Sequence, residues 1–468
     1  MVRVCAVAAR STNGEVILVP GIAAVTHAIL DRELGRAADW RRKSKQGKTV
    51  AIDPPQPVVR QILDMAGEWP FPSITGVIGC PTLRPNGSIL SNEGYDRETG
   101  LVLFSTIKMP PIAPNPTRQD AEEALALLIE LLSEFPFADR PSQAVALSMI
   151  MTSVLRGAME VAPLHLVTAP EPGTGKSYLA DLISMIATGE RAAAFAVAPK
   201  PEETEKRLVG SAPAGYPVIS LDNCRGVLEG DFLCQITERP LLQLRALGKS
   251  DTMRVSNAFT VLANGNNVGL ADDLVRRTIR CALDADTEKP ESRTFRKDPL
   301  ATVRRDRGAY IAACLTIARA YIVAGTPNRL APLPSYPGWS DLVRSPLVWL
   351  GQVDAVKTME TARIADPMRQ VRVLVFEAWR DAIGVDQFST SPEIVNLAMA
   401  QLNRSAGEQT LYSALIEIAE KRGAPGQIEP RRLGRWLTKN ENRIASGLKL
   451  TVDRLDERRV RYCLRQVS

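Results

Sequence analysis

Residues that build metal and disulfide sites are sparse in this chain. It has only two His and seven Cys among 468 residues. The cysteines are scattered, odd in number and never spaced as Cys-x-x-Cys, which argues against a Cys/His zinc site. We expect free thiols in a reducing compartment. The cysteines are Cys5, Cys80, Cys224, Cys234, Cys281, Cys314 and Cys463.

Long apolar runs are also lacking. No run reaches the roughly 20 residues that a membrane span needs. The stretch 16–30 is apolar, but it carries Pro20 and His27 and follows Glu15 instead of a basic segment. That pattern is not typical of a signal peptide. We therefore expect a cytoplasmic protein with no membrane partner.

The excess of basic over acidic residues is mild. The net charge is +6, and 45% of the residues are hydrophobic, as in an ordinary soluble protein. The length predicts two to four domains. A proline-rich stretch at 110–116 reads as a linker. We expect an N-terminal α+β accessory region at 1–110, a core with leading helices at 118–300, a helical region at 301–385 and a basic domain at 386–468.

Strands and helices alternate through the core. Short apolar segments flanked by helical patterns predict an α/β fold with a parallel sheet that is covered on both faces. Beyond residue 300 the pattern is helical until two final strands. The predicted core strands are 164–169, 192–197, 218–221, 259–263 and 278–283, and the later helices are 308–324, 340–350, 366–383, 392–403, 408–421 and 430–444.

A glycine-rich loop lies between the first core strand and its helix. It reads Pro-Glu-Pro-Gly-Thr-Gly-Lys-Ser from Pro170 to Ser177. In a phosphate-binding loop the glycines let backbone N–H groups surround the phosphates, and the helix adds its positive end. Pro170 stands where the first glycine of the general pattern is expected. The predicted ATP-binding residues are Gly173, Thr174, Gly175, Lys176 and Ser177, with Lys176 on the β- and γ-phosphates and Ser177 on Mg²⁺.

A carboxylate ends a later buried strand. Asp222 follows an apolar run from Val218 and is the expected second contributor to the Mg²⁺ site. Asn223 comes next, and its amide cannot accept a proton from the attacking water. Either another carboxylate serves as base, with Glu229 and Asp231 the nearest, or hydrolysis is slow.

The order of motifs from the loop to about residue 285 resembles AAA+ P-loop ATPases. More narrowly, it is similar to the superfamily 3-type helicase modules of phage and mobile-element replication proteins, which are often fused to primases. The segments that carry this resemblance are the loop, the Asp222 strand, a hairpin pattern around Gly248–Asp251, the polar strand end Asn264–Asn267 and the run Asp273–Arg277.

The resemblance implies roles for particular residues. Lys249 at the hairpin tip would grip single-stranded DNA in a ring pore, or it is a solvated turn lysine. Asn266 is the first choice for the residue that orients the attacking water, and Asn264 the second. Arg276 and Arg277 resemble an arginine finger, or form a surface ion pair with Asp272 or Asp273. A finger acting in trans implies a homo-oligomeric ring, a hexamer, and the family context raises a primase as a partner.

Basic charge is concentrated at the C-terminus. Residues 431–468 hold eleven basic and four acidic residues, a net charge of +7. Arg431, Arg435, Lys439 and Arg443 recur every four residues and predict one stripe on a helix. Three helices followed by two strands predict a winged-helix-like domain with this helix facing duplex DNA. A solvated helix face is the alternative.

These observations favour an ATP-dependent DNA helicase or translocase that acts in phage, prophage or plasmid replication. An ATP-dependent initiator or loader, or a nucleotide-gated DNA-binding scaffold with weak hydrolysis, is the alternative, and Asn223 is the residue that favours it. A second basic cluster, Trp40–Lys48, reads as a DNA-binding arm or a mobile linker.

Overall fold

The computed structural model describes most of the chain: residues 2–10, 16–65, 68–105, 107–198, 201–211, 217–245, 252–364, 366–403, 410–454 and 460–467. Two compact units are present, one of Met1–Val268 with Arg276–Met359 and one of Gly269–Val275 with Glu360–Ser468. In the described ranges, no helix is both long enough and apolar enough to cross a bilayer. The four-domain division stays a prediction.

Short elements form the first hundred residues. Apart from β1 and β2 the strands are of two or three residues, and several are closed by tight turns such as Arg84–Ser88, where Gly87 has φ +79°. The elements are β1 Val2–Arg10, β2 Val16–Ala24, α1 His27–Ala37, β3 Arg41–Lys43, β4 Thr49–Ala51, α2 Gln56–Asp64, β5 Gly76–Ile78, β6 Thr82–Leu83, β7 Ile89–Leu90, β8 Gly94–Tyr95 and β9 Leu101–Leu103.

The central part alternates strands and helices, as the sequence predicts. Thr117 and Asp120 form a capping box that starts the first of these helices. The elements are α3 Arg118–Leu131, α4 Arg140–Leu155, β10 Leu164–Ala169, α5 Lys176–Thr188, β11 Ala193–Ala196, α6 Pro201–Ser211, β12 Val218–Cys224, β13 Val227–Leu228, α7 Asp231–Glu238, β14 Leu241–Arg245, β15 Thr252–Ser256, β16 Thr260–Asn266, β17 Gly269–Leu270 and β18 Thr278–Ala282.

Helices dominate the rest until three final strands. The first of them starts at Pro299, behind the N-cap Asp298, nine residues earlier than its apolar pattern predicts. The elements are α8 Pro299–Val323, α9 Pro337–Trp339, α10 Ser345–Trp349, α11 Lys357–Ile364, α12 Pro367–Ala382, α13 Ser391–Met399, α14 Thr410–Ala419, α15 Pro430–Lys439, β19 Ile444–Ala445, β20 Leu448–Arg454 and β21 Val460–Gln466.

A five-stranded sheet organises the larger unit. Its spatial order is β11-β12-β16-β10-β18, and every neighbouring pair is parallel. The fold-class prediction of an α/β P-loop core is confirmed. Because β16 lies between β10 and β12, the end of β16 separates the glycine-rich loop from Asp222. The loop follows β10, at a position in the sheet where the chain connections lead to strands on opposite sides. Open α/β sheets bind ligands at such positions.

One apolar core supports this sheet. Helix α4 is buried around its whole circumference, from Ala144 to Leu155, and packs with α5, α8 and the sheet. The same cluster includes Cys80 and Leu83 before the core and Trp339 after it. Residues 80–83 and 300–355 therefore share a core with the five-stranded sheet.

The smaller unit has its own core and a winged-helix-like arrangement, as predicted. Helices α12 to α15 surround Phe376, Trp379, Leu433 and Leu437. Strands β20 and β21 pair antiparallel after α15. Ser389, before α13, exchanges backbone hydrogen bonds of 2.9 Å with Tyr462 of β21 and so extends the β19-β20-β21 sheet at its β21 edge.

Candidate functional site

The glycine-rich loop bends tightly between β10 and α5. Gly173 has φ +77° and Gly175 has φ +100°, values that residues with a Cβ rarely adopt. A Cβ at Gly173 would also lie 3.2 Å from Cβ of Glu291 and 3.3 Å from its backbone nitrogen. Pro170 does not prevent this bend. Both glycines are thus required by the backbone, as the motif predicts.

Lys176 is the first residue of α5 and lies against the loop. Its side chain is 9% exposed, and Nζ donates to the carbonyl oxygen of Glu171 at 3.0 Å. Thr174 Oγ1 donates to the same oxygen at 2.5 Å. Burial lowers the pKa of Lys176, and the negative charges of Asp222 and Glu171 oppose that shift. The ammonium group therefore lies in a partly dry site, where a phosphate charge would be strongly stabilised.

Ser177 and Asp222 meet across 45 residues of sequence. Ser177 Oγ donates to Asp222 Oδ1 at 2.9 Å. Two hard oxygen donors at adjacent positions form the kind of pair that Mg²⁺ takes from a protein when phosphates and water complete its shell. The structure thus brings together the two residues predicted as metal ligands.

Asn264 on β16 completes this group. Its Oδ1 lies 3.5 Å from Ser177 Oγ and 3.4 Å from the backbone nitrogen of Asn223, both donors. That network fixes the orientation of the amide, since the backbone N–H needs an acceptor. Asn264 is 2% exposed, and its Nδ2 has no hydrogen-bond partner among the described residues. An unsatisfied buried donor beside Ser177 and Asp222 points to an acceptor supplied from outside the chain.

Asn266, the first choice for the water-orienting residue, is exposed at the end of β16. The geometry favours the second choice, Asn264, because its amide alone of the two is hydrogen-bonded to the Ser177 pair. Both residues have the same parity on the strand, so sequence alternation does not separate them.

Asn223 lies in a bulge of β12. The register with β16 shifts between Leu221 and Cys224, and Asn223 has φ +53°. Its side chain is exposed and its backbone contacts Asn264. Glu229 and Asp231, named as substitute bases, line a separate cleft between α6 and α7 that contains no residue of the phosphate loop.

Asp181 is an acidic neighbour that the motif does not include. It lies one helical turn beyond Ser177 on α5 and accepts from the backbone nitrogen of Ala192 at 3.2 Å. Burial raises its pKa, and the charge of Asp222 adds to that effect. Its i+4 spacing from Ser177 was the only sequence signal for it.

Phe135 and Tyr178 flank the loop. The Phe135 ring lies 3.9 Å from where a Cβ of Gly175 would be, and its centroid lies 6.1 Å from that of Tyr178. The Tyr178 hydroxyl donates to Asp298 at 2.7 Å. Aromatic side chains thus line one side of the loop, a feature without a sequence motif.

The two candidate finger arginines have different environments. Arg277 is 4% exposed and forms an ion pair with Glu238, which lowers the pKa of that carboxyl group. This partner lies 39 residues away in the sequence and the pair is buried on the arginine side, so Arg277 is anchored to α7; the alternative of a surface ion pair with Asp272 or Asp273 stays a prediction. Arg276 is exposed.

The predicted hairpin before β16 is present. Strands β14 and β15 pair antiparallel from Leu241↔Ser256 to Arg245↔Thr252. Lys249 lies outside the described residues, so its role at the tip stays a prediction.

The basic helix of the smaller unit is shorter than predicted. Leu433 and Leu437 of α15 are buried, whereas Arg431, Arg435 and Lys439 are exposed. Arg443 does not continue the stripe, which corrects the prediction of a helix to residue 444. The helix ends at Asn440, whose buried amide accepts from Arg372 and donates to the backbone of Trp436, and Asn442 then turns the chain with φ +64°.

No protein-family model matches this chain, and no curated protein matches it significantly. Among solved structures, it is similar to the A form of the apo NrS-1 C-terminal region, with 12% identity and a TM-score of 0.40 over 93% of this chain and 98% of that one. It is also similar to the SCCmec type IV Cch structure, described as an active helicase, with 12% identity and a TM-score of 0.34 over 95% of this chain and 78% of that one. A third match, the JCV helicase, has 10% identity and a TM-score of 0.24 over 53% of this chain and 73% of that one. Two of these matches are helicase structures, and the α/β P-loop assignment of this chain rests on its own strand order and loop geometry.

Proposed function

We propose that this protein is an ATP-dependent DNA helicase or translocase that acts as a homo-oligomeric ring in the replication of a phage, prophage or plasmid in the cytoplasm. The observation that carries the proposal is the group formed by Ser177, Asp222 and Asn264 at the carboxyl edge of the sheet. It joins a hydroxyl, a carboxylate and an unpaired buried amide donor next to a lysine on a glycine-rich loop.

The residues present fit ATP and Mg²⁺. The backbone bend at Gly173 and Gly175 leaves room for phosphate oxygens, and Ser177 with Asp222 offers oxygen ligands to the metal. Bound Mg²⁺–ATP supplies the phosphoryl group whose hydrolysis releases the free energy. Lys176 would neutralise phosphate charge, and Asn264 Nδ2 would donate to a phosphate oxygen or to the attacking water.

The oligomeric ring is proposed from Arg276. It is exposed in the segment just before β18, at the place of an arginine finger in the resembled helicases. Arg277 is buried and forms an ion pair with Glu238, whereas the side chain of Arg276 is exposed, so we assign the finger to Arg276. A subunit would then complete the ATP site of its neighbour, and a hexamer is the expected closed form.

A mixing experiment tests this assignment. Lys176→Ala subunits keep Arg276 but cannot hold ATP, and Arg276→Ala subunits hold ATP but lack the finger. If the finger acts in trans, mixing the two inactive variants restores part of the ATPase activity. If Arg276 acts within its own subunit or not at all, the mixture stays inactive.

Two DNA contacts belong to the proposal. Lys249, which lies between β14 and β15 in the sequence, would contact single-stranded DNA in the pore. Arg431, Arg435 and Lys439 on the exposed face of α15 would contact duplex phosphates at the winged-helix-like unit. A primase is a further proposed partner.

The second candidate function is an ATP-dependent initiator, loader or scaffold with weak hydrolysis. Asn223 favours it, because this amide stands where the resembled ATPases place a glutamate base. ATP hydrolysis measured with and without single-stranded DNA, together with unwinding of a forked duplex, separates the candidates. DNA-stimulated hydrolysis with unwinding supports the helicase, and stimulation without unwinding supports the loader.

The Asn223→Glu variant measures how much the missing base matters. A large gain in turnover would show that the wild-type chain lacks a strong base. Asn266→Glu is the matched control, because it adds the same charge at an exposed neighbouring strand end. Protein that binds no ATP under any of these conditions would refute the whole proposal.

A further inference from the structure

The basic cluster near residue 45 folds as a hairpin. Strands β3 and β4 pair from Arg41↔Ala51 to Lys43↔Thr49. The turn is closed by hydrogen bonds from Ser44 N to Lys48 O at 2.7 Å and from Gly47 N to Ser44 O at 2.9 Å. Gly47 has φ +78°, as such a turn requires. The segment is therefore an ordered β-ribbon and not a linker.

Hydrogen bonds attach this ribbon at its base. Trp40 Nε1 donates to the carbonyl oxygen of Leu34 at 2.9 Å, and Ile52 N donates to Trp40 O at 2.9 Å. All six strand residues are exposed. An isolated two-stranded hairpin is marginally stable in water, and here neither face contributes to a core. Its side chains are therefore free of a packing role.

The charge on the ribbon has one sign. Five basic residues and no acidic residue lie between Trp40 and Ile52. Arg41 has Asp39 at 3.7 Å. In the described part of the chain, no carboxylate lies within ion-pair distance of Arg42, Lys43, Lys45 or Lys48. Four cations held close together repel one another, and a polyanion relieves that repulsion.

We propose that this hairpin binds the phosphate backbone of duplex DNA, as a contact separate from α15. A two-stranded ribbon fits the width of a major groove. Strand β3 places Arg42 on one face and Arg41 and Lys43 on the other, and Lys45 and Lys48 lie in the turn, so cations are available on both sides of the ribbon. A membrane surface is a poorer match, because Val50 is the one exposed large apolar side chain on the ribbon. The inference rests on the proposed function in taking DNA as the ligand.

The test compares two double variants of the full chain without nucleotide. Arg42→Gln with Lys45→Gln removes two ribbon charges, and Arg97→Gln with Lys108→Gln removes two exposed charges of the same types elsewhere. Binding to a fluorescent duplex is measured between about 50 and 200 mM salt. Two lost phosphate contacts should make the salt slope shallower by about 1.8. The ribbon variant should therefore lose about tenfold more affinity for the duplex, relative to wild type, at the low salt concentration than at the high one. The control variant should keep the wild-type slope.

Several outcomes overturn the inference. The ribbon contact is refuted if the ribbon variant keeps the wild-type salt slope while Arg431→Gln with Arg435→Gln still loses DNA binding. That result leaves the proposed function standing. Equal changes in both double variants show a general charge effect. Loss of binding to phosphatidylserine vesicles with an unchanged DNA slope assigns the ribbon to membranes instead. Wild-type protein that binds no duplex refutes the ribbon contact and the DNA part of the proposed function together. Thermal unfolding is recorded for each variant, and equal midpoints show that the comparison concerns folded protein.

Discussion

Replacing Asn264 by Leu should separate stability from catalysis. The amide makes two long hydrogen bonds, of 3.4 and 3.5 Å, and leaves one buried donor unpaired. A buried unpaired donor costs about 1–3 kcal/mol, whereas each hydrogen bond contributes about 1 kcal/mol or less. An apolar side chain of similar volume removes both effects, and the N–H of Asn223, an exposed residue, can donate to water instead. The free energy of unfolding should therefore change by no more than about 1 kcal/mol.

Catalysis should respond much more strongly. If Asn264 Nδ2 donates to the transferring phosphate or to the attacking water, removing it should lower kcat by about 10²- to 10³-fold, as the loss of a transition-state hydrogen-bond donor does in other enzymes. The effect should fall on kcat and leave KM for ATP nearly unchanged, because the interaction strengthens in the transition state. Urea unfolding and steady-state ATP hydrolysis are the two measurements.

Asn266→Leu is the control, since Asn266 lies on the same strand and is exposed. Turnover at the wild-type level in Asn264→Leu would refute the assignment. So would equal losses in the two variants, or a destabilisation by Asn264→Leu well beyond the range given above.

Three further predictions concern stability. Burial lowers the pKa of His165 in the folded state to about 3 from 6.5, so the unfolded state takes up the proton first and stability is lost as the pH falls below 6.5. Between pH 7 and 5 the loss through His165 should be about 2 kcal/mol. Urea unfolding of His165→Leu should show a correspondingly weaker pH dependence of stability. Glu238→Gln removes the charge that pairs with buried Arg277. Because this carboxylate is 31% exposed and the amide oxygen can still accept a hydrogen bond, stability should fall by about 1–3 kcal/mol, seen as a reduced Tm. An unchanged Tm would contradict the importance of this pair. In Gly265→Ala the new Cβ would lie 2.2 Å from the carbonyl oxygen of Cys224, so β12 and β16 must separate, and both Tm and ATP affinity should fall. Gly338→Ala is the control and should be tolerated, because the nearest atom to its new Cβ is 3.8 Å away. Equal behaviour of the two variants would refute the reasoning.

Local patterns in the sequence were sufficient for the sheet and the phosphate loop. Short apolar runs, glycine spacing and a lysine at a helix start are set by neighbouring residues, so they can be read without tertiary contacts. Asp222 was identified for the same reason, as the polar end of a buried strand. The start of α8 was missed although Asp298 and Pro299 mark it, because the charged run that follows interrupts the apolar period.

Strand order and side-chain partners could not be predicted in this way. The position of β16 between β10 and β12 brings this strand next to Ser177, and its register along β10 decides that Asn264 reaches Ser177 while Asn266 lies beyond it at the exposed strand end. The pairing of Arg277 with Glu238 depends on how the segment before β18 packs on α7. Arg443 was placed on the helix stripe by its spacing alone, whereas the buried amide of Asn440, fixed by Arg372, ends that helix. Each of these outcomes depends on contacts between residues far apart in the sequence.

The shared hydrogen bonds on the Glu171 carbonyl oxygen have a consequence for nucleotide affinity. One acceptor holds both Thr174 and Lys176, so a carbonyl group of the loop itself stabilises the bend. A triphosphate that recruits the ammonium group exchanges one charge-assisted bond for another, and the net gain is smaller than the phosphate contact alone would give. The hydroxyl of Thr174 can keep its bond throughout, which lets the lysine swing while the loop retains its shape.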